Sequence, residues 1–377
     1  MNFNFTEEQE QLRRTARDLF SKQATKTVVR EMENDPQGYS PALWKRIADL
    51  GWLGLPFAAK YGGADGMFLD LAVILEEVGR FIAPVPIFSD IVLGGLPLAQ
   101  FGSEKQKQEF LPGVAAGKTM LTSAILEPES SWKPEGLALK AKESDGAYRL
   151  DGVKVFVDNA HLATHMLVAA RTSGRGADGV TVFIVDASAP GVTITPLKPM
   201  GLERTSEVAF KNVLVPANRV LGKVGQGWPI VERTLQWAVA GQCVMSVGGA
   251  AAVLEMAVEY AKNRVQFGQP IAKFQAIQHH AANLYQDAEM MRLIAYEVAW
   301  LVSEGRPCAE EIAMAKVFVS TAYTRMTRTG IQIYGGIGLS KETDPQLYFR
   351  RAKAWEPLFG TPDAARVVIG ETLSVGA

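Results

Sequence analysis

The chain has 377 residues, 47% of them hydrophobic and 21% charged, which is the profile of an ordinary globular protein with room for two or three domains. A formal net charge of −1 and a pI near 6.5 leave no basic field for nucleic acid or an anionic membrane, and no uninterrupted apolar run is long enough for a membrane span. Two cysteines, Cys243 and Cys308, and four histidines, His161, His165, His279 and His280, form neither a disulfide framework nor a metal-ligand spacing, so no metal is expected.

The N-terminal Met1-Asn-Phe-Asn-Phe-Thr-Glu-Glu lacks an apolar stretch and reads as no secretory signal, so a cytoplasmic location is expected. Thr6-Glu-Glu-Gln9 reads as a capping box that opens a helix with Leu12, Ala16, Leu19 and Phe20 inward. Pro41 to Leu50 is a second helix stopped by Gly51, and Gly51-Trp-Leu-Gly-Leu-Pro56 with Tyr61-Gly-Gly63 is rich in turns. Phe68–Val78, Asp90–Phe101 and Ser103–Ala116 are further helices. Residues 1–118 thus form a helical domain.

The period then changes from helical to alternating. Short β-type runs cover Met120–Leu126, Gly136–Lys142, Tyr148–Asp151, Val153–Val157, Met166–Arg171, Val180–Asp186, Val192–Pro196, Glu207–Phe210 and Val213–Val215. Gly, Pro, Asp and Asn punctuate them, as expected of a compact barrel or sandwich over 119–226. Long helical segments return over 227–377, at about 227–264, 273–304, 309–334, 345–357 and from Pro362. The stretch 234–260 is apolar all round, which predicts a buried helix and a helical bundle that also makes an oligomer interface.

Between two of these helices stands Arg264-Val-Gln-Phe-Gly-Gln-Pro-Ile-Ala-Lys-Phe-Gln-Ala-Ile-Gln278. Gly268 and Pro270 break the helix, leaving Arg264 at a helix end, where a guanidinium can bond a phosphate or pyrophosphate in a fork. This string resembles the R-x-x-F-G-x-x-I-x-x-[FH]-Q-x-[IV]-Q signature of the acyl-CoA dehydrogenase family. Gln332-Ile-Tyr-Gly-Gly-Ile-Gly-Leu339 resembles that family's Q-x-x-G-G-x-G run. Gly102-Ser-Glu-Lys-Gln-Lys-Gln-Glu-Phe-Leu-Pro112 resembles its G-x-x-x-Q-K segment. The resemblance covers essentially the whole chain. It implies an α+β fold with an N-terminal helical domain, a middle β domain and a C-terminal four-helix bundle. It also implies FAD as cofactor, an acyl-CoA thioester substrate desaturated between C2 and C3, and an electron-transfer flavoprotein or similar acceptor.

The same comparison exposes departures. In the family a carboxylate in a late Y-E-G-T string takes the C2 proton. The counterpart here, Arg350-Arg-Ala-Lys-Ala-Trp-Glu-Pro-Leu-Phe-Gly-Thr361, puts Phe359 at that position. Some members keep the base on the preceding helix, and the register there leads to Ala238. Neither residue accepts a proton, although a positioned base typically contributes ~100- to 10,000-fold in rate. The family's T-E-P-x-A-G-S-D is Leu126-Glu-Pro-Glu-Ser-Ser-Trp-Lys133 here, which loses a hydroxyl for the flavin and adds the bulk of Trp132. Its K-x-W-I-[ST]-N is Lys154-Val-Phe-Val-Asp-Asn159, which puts Asp158 beside the flavin position. A carboxylate about 4 Å from a reduced, anionic flavin costs roughly 4 kcal/mol at an effective dielectric near 20.

By the resemblance, the lost residues are those that hold a subunit's own FAD. Those that reach a neighbour's FAD remain: Arg264, Phe267, Gln275, Gln332, Gly335 and Gly336. The expectation is a non-catalytic subunit of a heteromeric acyl-CoA dehydrogenase, paired with a paralogous subunit whose FAD it clamps. Two alternatives stand beside it. One is an active homo-oligomer with a relocated base, drawn from Asp90, Asp158 and Glu356. The other is a non-enzymatic acyl-CoA binder or assembly protein.

Overall fold

The computed structural model describes residues 4–129, 131–201 and 203–375. Ser130, within the altered Leu126–Lys133 string, lies outside the described residues. Six helices come first: α1 (Glu7–Gln23), α2 (Lys26–Asn34), α3 (Pro41–Asp49), α4 (Phe68–Phe81), α5 (Leu96–Phe101) and α6 (Glu104–Ala115). The Thr6 hydroxyl accepts from the Gln9 N–H and the Gln9 side chain accepts from the Thr6 N–H, so the capping box forms as expected. A π-helical segment, Phe88–Gly95, runs directly into α5.

Eight strands follow: β1 (Leu121–Ala124), β2 (Lys140–Ser144), β3 (Ala147–Asp158), β4 (His165–Arg171), β5 (Val180–Asp186), β6 (Val192–Pro196), β7 (Thr205–Pro216) and β8 (Val220–Leu221). They form one sheet in the order β6-β7-β3-β2-β4-β5-β8, with β1 parallel to β4. The register of β3 on β7 shifts between Leu150 and Gly152 and again between Lys154 and Val157. The second bulge re-aims the end of β3 and leaves Phe156 at a positive φ of 52°, 48% exposed.

A β9–β10 hairpin (Val265–Gln266 and Gln269–Pro270) separates α7 (Trp228–Asn263) from α8 (Gln275–Ser303). Then come α9 (Ala309–Tyr334), α10 (Pro345–Trp355) and α11 (Pro362–Val375). The hairpin turns on Phe267 and Gly268, at φ 52° and 80°, the two-residue geometry with both central residues left-handed. A glycine takes that conformation without strain; Phe267 adopts it and is 93% exposed.

Helix α7 is the axis of the molecule. Its most apolar window is long enough to cross a membrane, yet 89% of that window is buried within the chain. Glycines let α4 lie directly on it. A Cβ at Gly79 would stand 1.9 Å from the Met245 carbonyl oxygen, and one at Gly248 would stand 1.8 Å from that of Glu76. The all-round apolar surface of 234–260 is therefore satisfied by α4, α8 and α9 of the same chain, and gives no argument for an oligomer. Large apolar side chains left in water on the other bundle helices include Tyr285, Met290 and Leu293 on α8, Met314 on α9, and Val367 and Leu373 on α11.

Candidate functional site

A cleft enclosing about 1060 Å³, partly open to solvent, lies where the three layers meet. Helix α4 and the Pro84–Phe88 turn supply one wall, the ends of β1 and β3 a second, and α7 with the segment after α10 a third. The second wall is anchored from beneath. Lys154, fully buried on β3, donates from Nζ to Glu127 Oε1 at 2.7 Å and to the Ile125 carbonyl at 2.9 Å. Glu127 also accepts the backbone N–H of Ala138 and Leu139, at 2.9 and 3.0 Å. Burial lowers the Lys154 pKa to about 8, against the raising effect of Glu127.

Phe359 stands in the cleft at a positive φ of 59°. Its ring centroid is 5.5 Å from that of Trp132 and 5.9 Å from that of Phe88. Trp132 thus turns inward onto Phe359, and three aromatic rings occupy the wall.

Asp158 ends β3 and faces the same cleft. Burial, helped by Glu203, pushes its carboxyl up to about 7, while Arg351 works in the opposite direction. The expectation of a fully charged carboxylate is corrected accordingly: near neutral pH much of Asp158 is protonated, which reduces the repulsion toward a reduced flavin. Next to it the Arg351 Nε is 3.1 Å from Glu203 Oε1, and its guanidinium lies 5.0 Å over the Trp355 ring. Arg204 Nη2 donates to the carbonyls of Met32, Glu33 and Asp35 at 2.7–2.9 Å, closing the C-terminal end of α2 onto the sheet.

The other base candidates do not reach the cleft. Asp90 is fully buried in the π-helical segment, where its Oδ1 accepts the Leu121 N–H at 2.7 Å and its Oδ2 has no partner. Burial raises its pKa well above the usual carboxylate range. It lies off the cleft wall, as a tie between the first domain and β1. Glu356 is held by Lys353 Nζ at 2.5 Å and by Thr324 Oγ1 at 3.4 Å, away from the wall. Ala238 is fully buried in α7. The α7 residues that line the cleft are Gln242 and Met245, one and two turns further on.

Gln242 was not expected from the sequence. Its Oε1 accepts from Lys316 Nζ at 3.0 Å, while its Nε2 is buried with no partner. Lys316 Nζ also donates to the carbonyls of Trp355 and Leu358, at 3.2 and 2.6 Å. Burial lowers the Lys316 pKa to about 8. The sequence signal was a single amide in an otherwise apolar run of α7, and a single cation in a similar run of α9.

The six residues expected to reach a neighbour's cofactor all lie at the far end of the bundle. Arg264 caps α7, Phe267 tips the hairpin, and Gln275 begins α8. Gln332 is in the last turn of α9, followed by Gly335 and Gly336. Tyr260 and Tyr334 stack there and join the α7 and α9 ends. All six are exposed, and no side chain among the described residues pairs with the Arg264 guanidinium. The first turn of α8 has no side-chain cap, and the Ile277 and Gln278 N–H groups both donate to the Phe274 carbonyl.

Three family models match the chain: the acyl-CoA dehydrogenase N-terminal domain over residues 6–118, the middle domain over 122–213 and the C-terminal domain over 225–374. The probable acyl-CoA dehydrogenase YngJ of Bacillus subtilis (strain 168) is 35% identical, over 99% of this chain and 100% of that protein. Among solved structures, butyryl-CoA dehydrogenase from Megasphaera elsdenii superimposes with a TM-score of 0.93 at 33% identity, covering 99% of this chain and 100% of that one. A chain of the ChsE4-ChsE5 complex from Mycobacterium tuberculosis gives 0.91 at 28% identity, covering 99% of each chain.

Proposed function

Because this chain belongs to the acyl-CoA dehydrogenase family, whose members bind FAD, we propose that it is the non-catalytic subunit of a heteromeric acyl-CoA dehydrogenase and clamps the nucleotide half of a paralogous subunit's FAD. One observation carries this reading. Arg264 caps the helix that carries Met245, about 30 Å further along its axis. The exposed cluster around Arg264 therefore cannot serve the cleft of its own chain and is free for another's.

The two ends of α7 differ in their fit to the cofactor. At the exposed end, Arg264 offers a forked donor and α8 offers a helix N-terminus without a side-chain cap, both suited to a pyrophosphate. Phe267 and Phe274, edge to face at 6.0 Å, offer an apolar bed for a base. The cleft end does not fit a flavin well. Leu126 offers no hydroxyl, Trp132, Phe88 and Phe359 take up the wall, and no step of acyl-CoA oxidation is assigned to it. The similarity to a chain from the two-component ChsE4-ChsE5 complex supports a partner of the same family.

A second reading rests on Asp158. It faces the cleft with a pKa near 7, the range suited to a general base. In that case the chain is itself an active dehydrogenase.

Flavin content separates the two. The chain purified alone is expected to hold no FAD and to give no anaerobic bleaching with a panel of acyl-CoA thioesters. Co-expressed with a paralogous subunit it is expected to form an FAD-containing assembly, and Arg264→Ala to weaken FAD retention there by ~1.5–3 kcal/mol. Bound flavin in the chain alone, bleached by an acyl-CoA and silenced by Asp158→Asn with FAD retained, would establish the second reading instead.

A further inference from the structure

We infer that the cleft reads a carbonyl oxygen, and that the side-chain amide of Gln242 is the group that reads it. Gln242 is 4% exposed and lines the cleft, yet its Nε2 has no partner. Leaving a buried amide donor unpaired is costly, so such a group is expected to find an acceptor in the space it faces.

Lys316 fixes which way the amide points. Its ammonium donates to Gln242 Oε1 at 3.0 Å and to two backbone carbonyls. An ammonium has donors and no acceptor, so the amide oxygen must face it and the two N–H bonds must face away. Lys316 thus has its own acceptors and leaves no free charge for the cleft. The amide is turned by a residue 74 positions further along the chain, on a helix folded back against α7, and not by its sequence neighbours.

The chemistry of the occupant follows from the rest of the wall. Next to Gln242 stand Met245, Leu358 and Phe359, with Phe88 beyond. None of these four can compensate a charge, and the other charged side chains of the cleft are already engaged, Arg351 with Glu203 and Arg204 with three backbone carbonyls. The group that fits is neutral and apolar and carries an acceptor oxygen with no competing donor. A ring ketone and the thioester carbonyl of an acyl chain share that chemistry. The inference needs neither FAD nor a catalytic base, so it stands apart from the subunit assignment above.

The test is a binding titration of the full-length chain, with and without its partner, followed by calorimetry and by the fluorescence of Trp132 and Trp355. The probes are indan-1-one, indane, indan-1-ol and S-ethyl cyclohexanecarbothioate. The expected result is that indan-1-one binds about ten-fold more tightly than indane, and that Gln242→Leu brings the two to within about two-fold. Gln242→Glu keeps an acceptor for Lys316 but removes the donor; it is expected to favour indan-1-ol over indan-1-one, and it guards against a Gln242→Leu chain that folds poorly. A Gln242-dependent gain for the ketone alone, or for the thioester as well, supports the inference and separates a ring carbonyl from an acyl carbonyl as its source. Equal binding of indane and indan-1-one, no binding of either, or a preference that survives both substitutions would overturn it.

Discussion

The ring of Tyr260 lies 4.1 Å from that of Tyr334 and within 14° of parallel to it. Each hydroxyl reaches across to the other helix, Tyr260 to the Tyr334 carbonyl and Tyr334 to the Met256 carbonyl, both at 3.3 Å. This stack sets the spacing between Arg264, four residues beyond Tyr260, and Gly335, which follows Tyr334. Tyr260→Ala is expected to loosen the cluster and lower the FAD content of the assembly with a paralogous subunit. Tyr260→Phe, which keeps the ring, is expected to leave the FAD content near wild type. Absorbance of bound flavin per assembly is the measurement.

Restoring the family's usual acid by Phe359→Glu is expected not to restore flavin reduction by the chain alone. The new carboxylate would lie against the Trp132 and Phe88 rings, and the space for a flavin would still be missing a hydroxyl at Leu126. Anaerobic bleaching with acyl-CoA thioesters checks this, and bleaching by the Phe359→Glu chain would show that the cleft had lost only its base.

The raised pKa of Asp158 makes stability depend on pH. An unfolded aspartate titrates near 3.8 and the folded one near 7, so between these values the folded state binds more protons. Stability from this group is therefore present at low pH and lost as pH rises from about 4 through about 7. Asp158→Asn removes the effect while keeping shape. The melting temperature of the variant, relative to wild type, is expected to rise between pH 5 and about pH 7 and then to level off, and a pH-independent difference would contradict the assignment.

Lys154→Met is expected to destabilise the middle domain by about 3 kcal/mol, because it leaves Glu127 buried without its cation. Glu127→Gln/Lys154→Met is expected to recover part of that loss. Urea denaturation of the three chains measures both.

Much of the architecture was legible because periodicity and punctuation agreed. Helix α9 begins and ends where the sequence pattern does, and β5 and β6 match their apolar runs to the residue. Gly152 and the Lys211-Asn212 turn signal suggested breaks, but β3 and β7 each run through them, since a bulge absorbs the irregularity that a turn otherwise would. Helix α2 was missed because it buries only Val29, too little for an apolar stripe to be visible. In the cleft, Phe359 was legible because its neighbours fix the register. Gln242 was not, because its meaning depends on Lys316, which only the packing of α9 on α7 brings within reach. Asp158 was read as a charge because burial, which sets its titration, leaves no mark in the sequence.

Helix α7 is about 54 Å long, and in the proposed assembly its two ends answer to different molecules. In a pair of unlike chains built as proposed, the cofactor count follows the clefts, so there is one flavin for every two chains. The partner's own clamp then reaches over a cleft that contains no pyrophosphate. Selection has nothing to preserve there, and substitutions at the partner's equivalents of Arg264 and Gln332 would cost the assembly little. Each chain of such a pair would decay at the opposite end of the same helix.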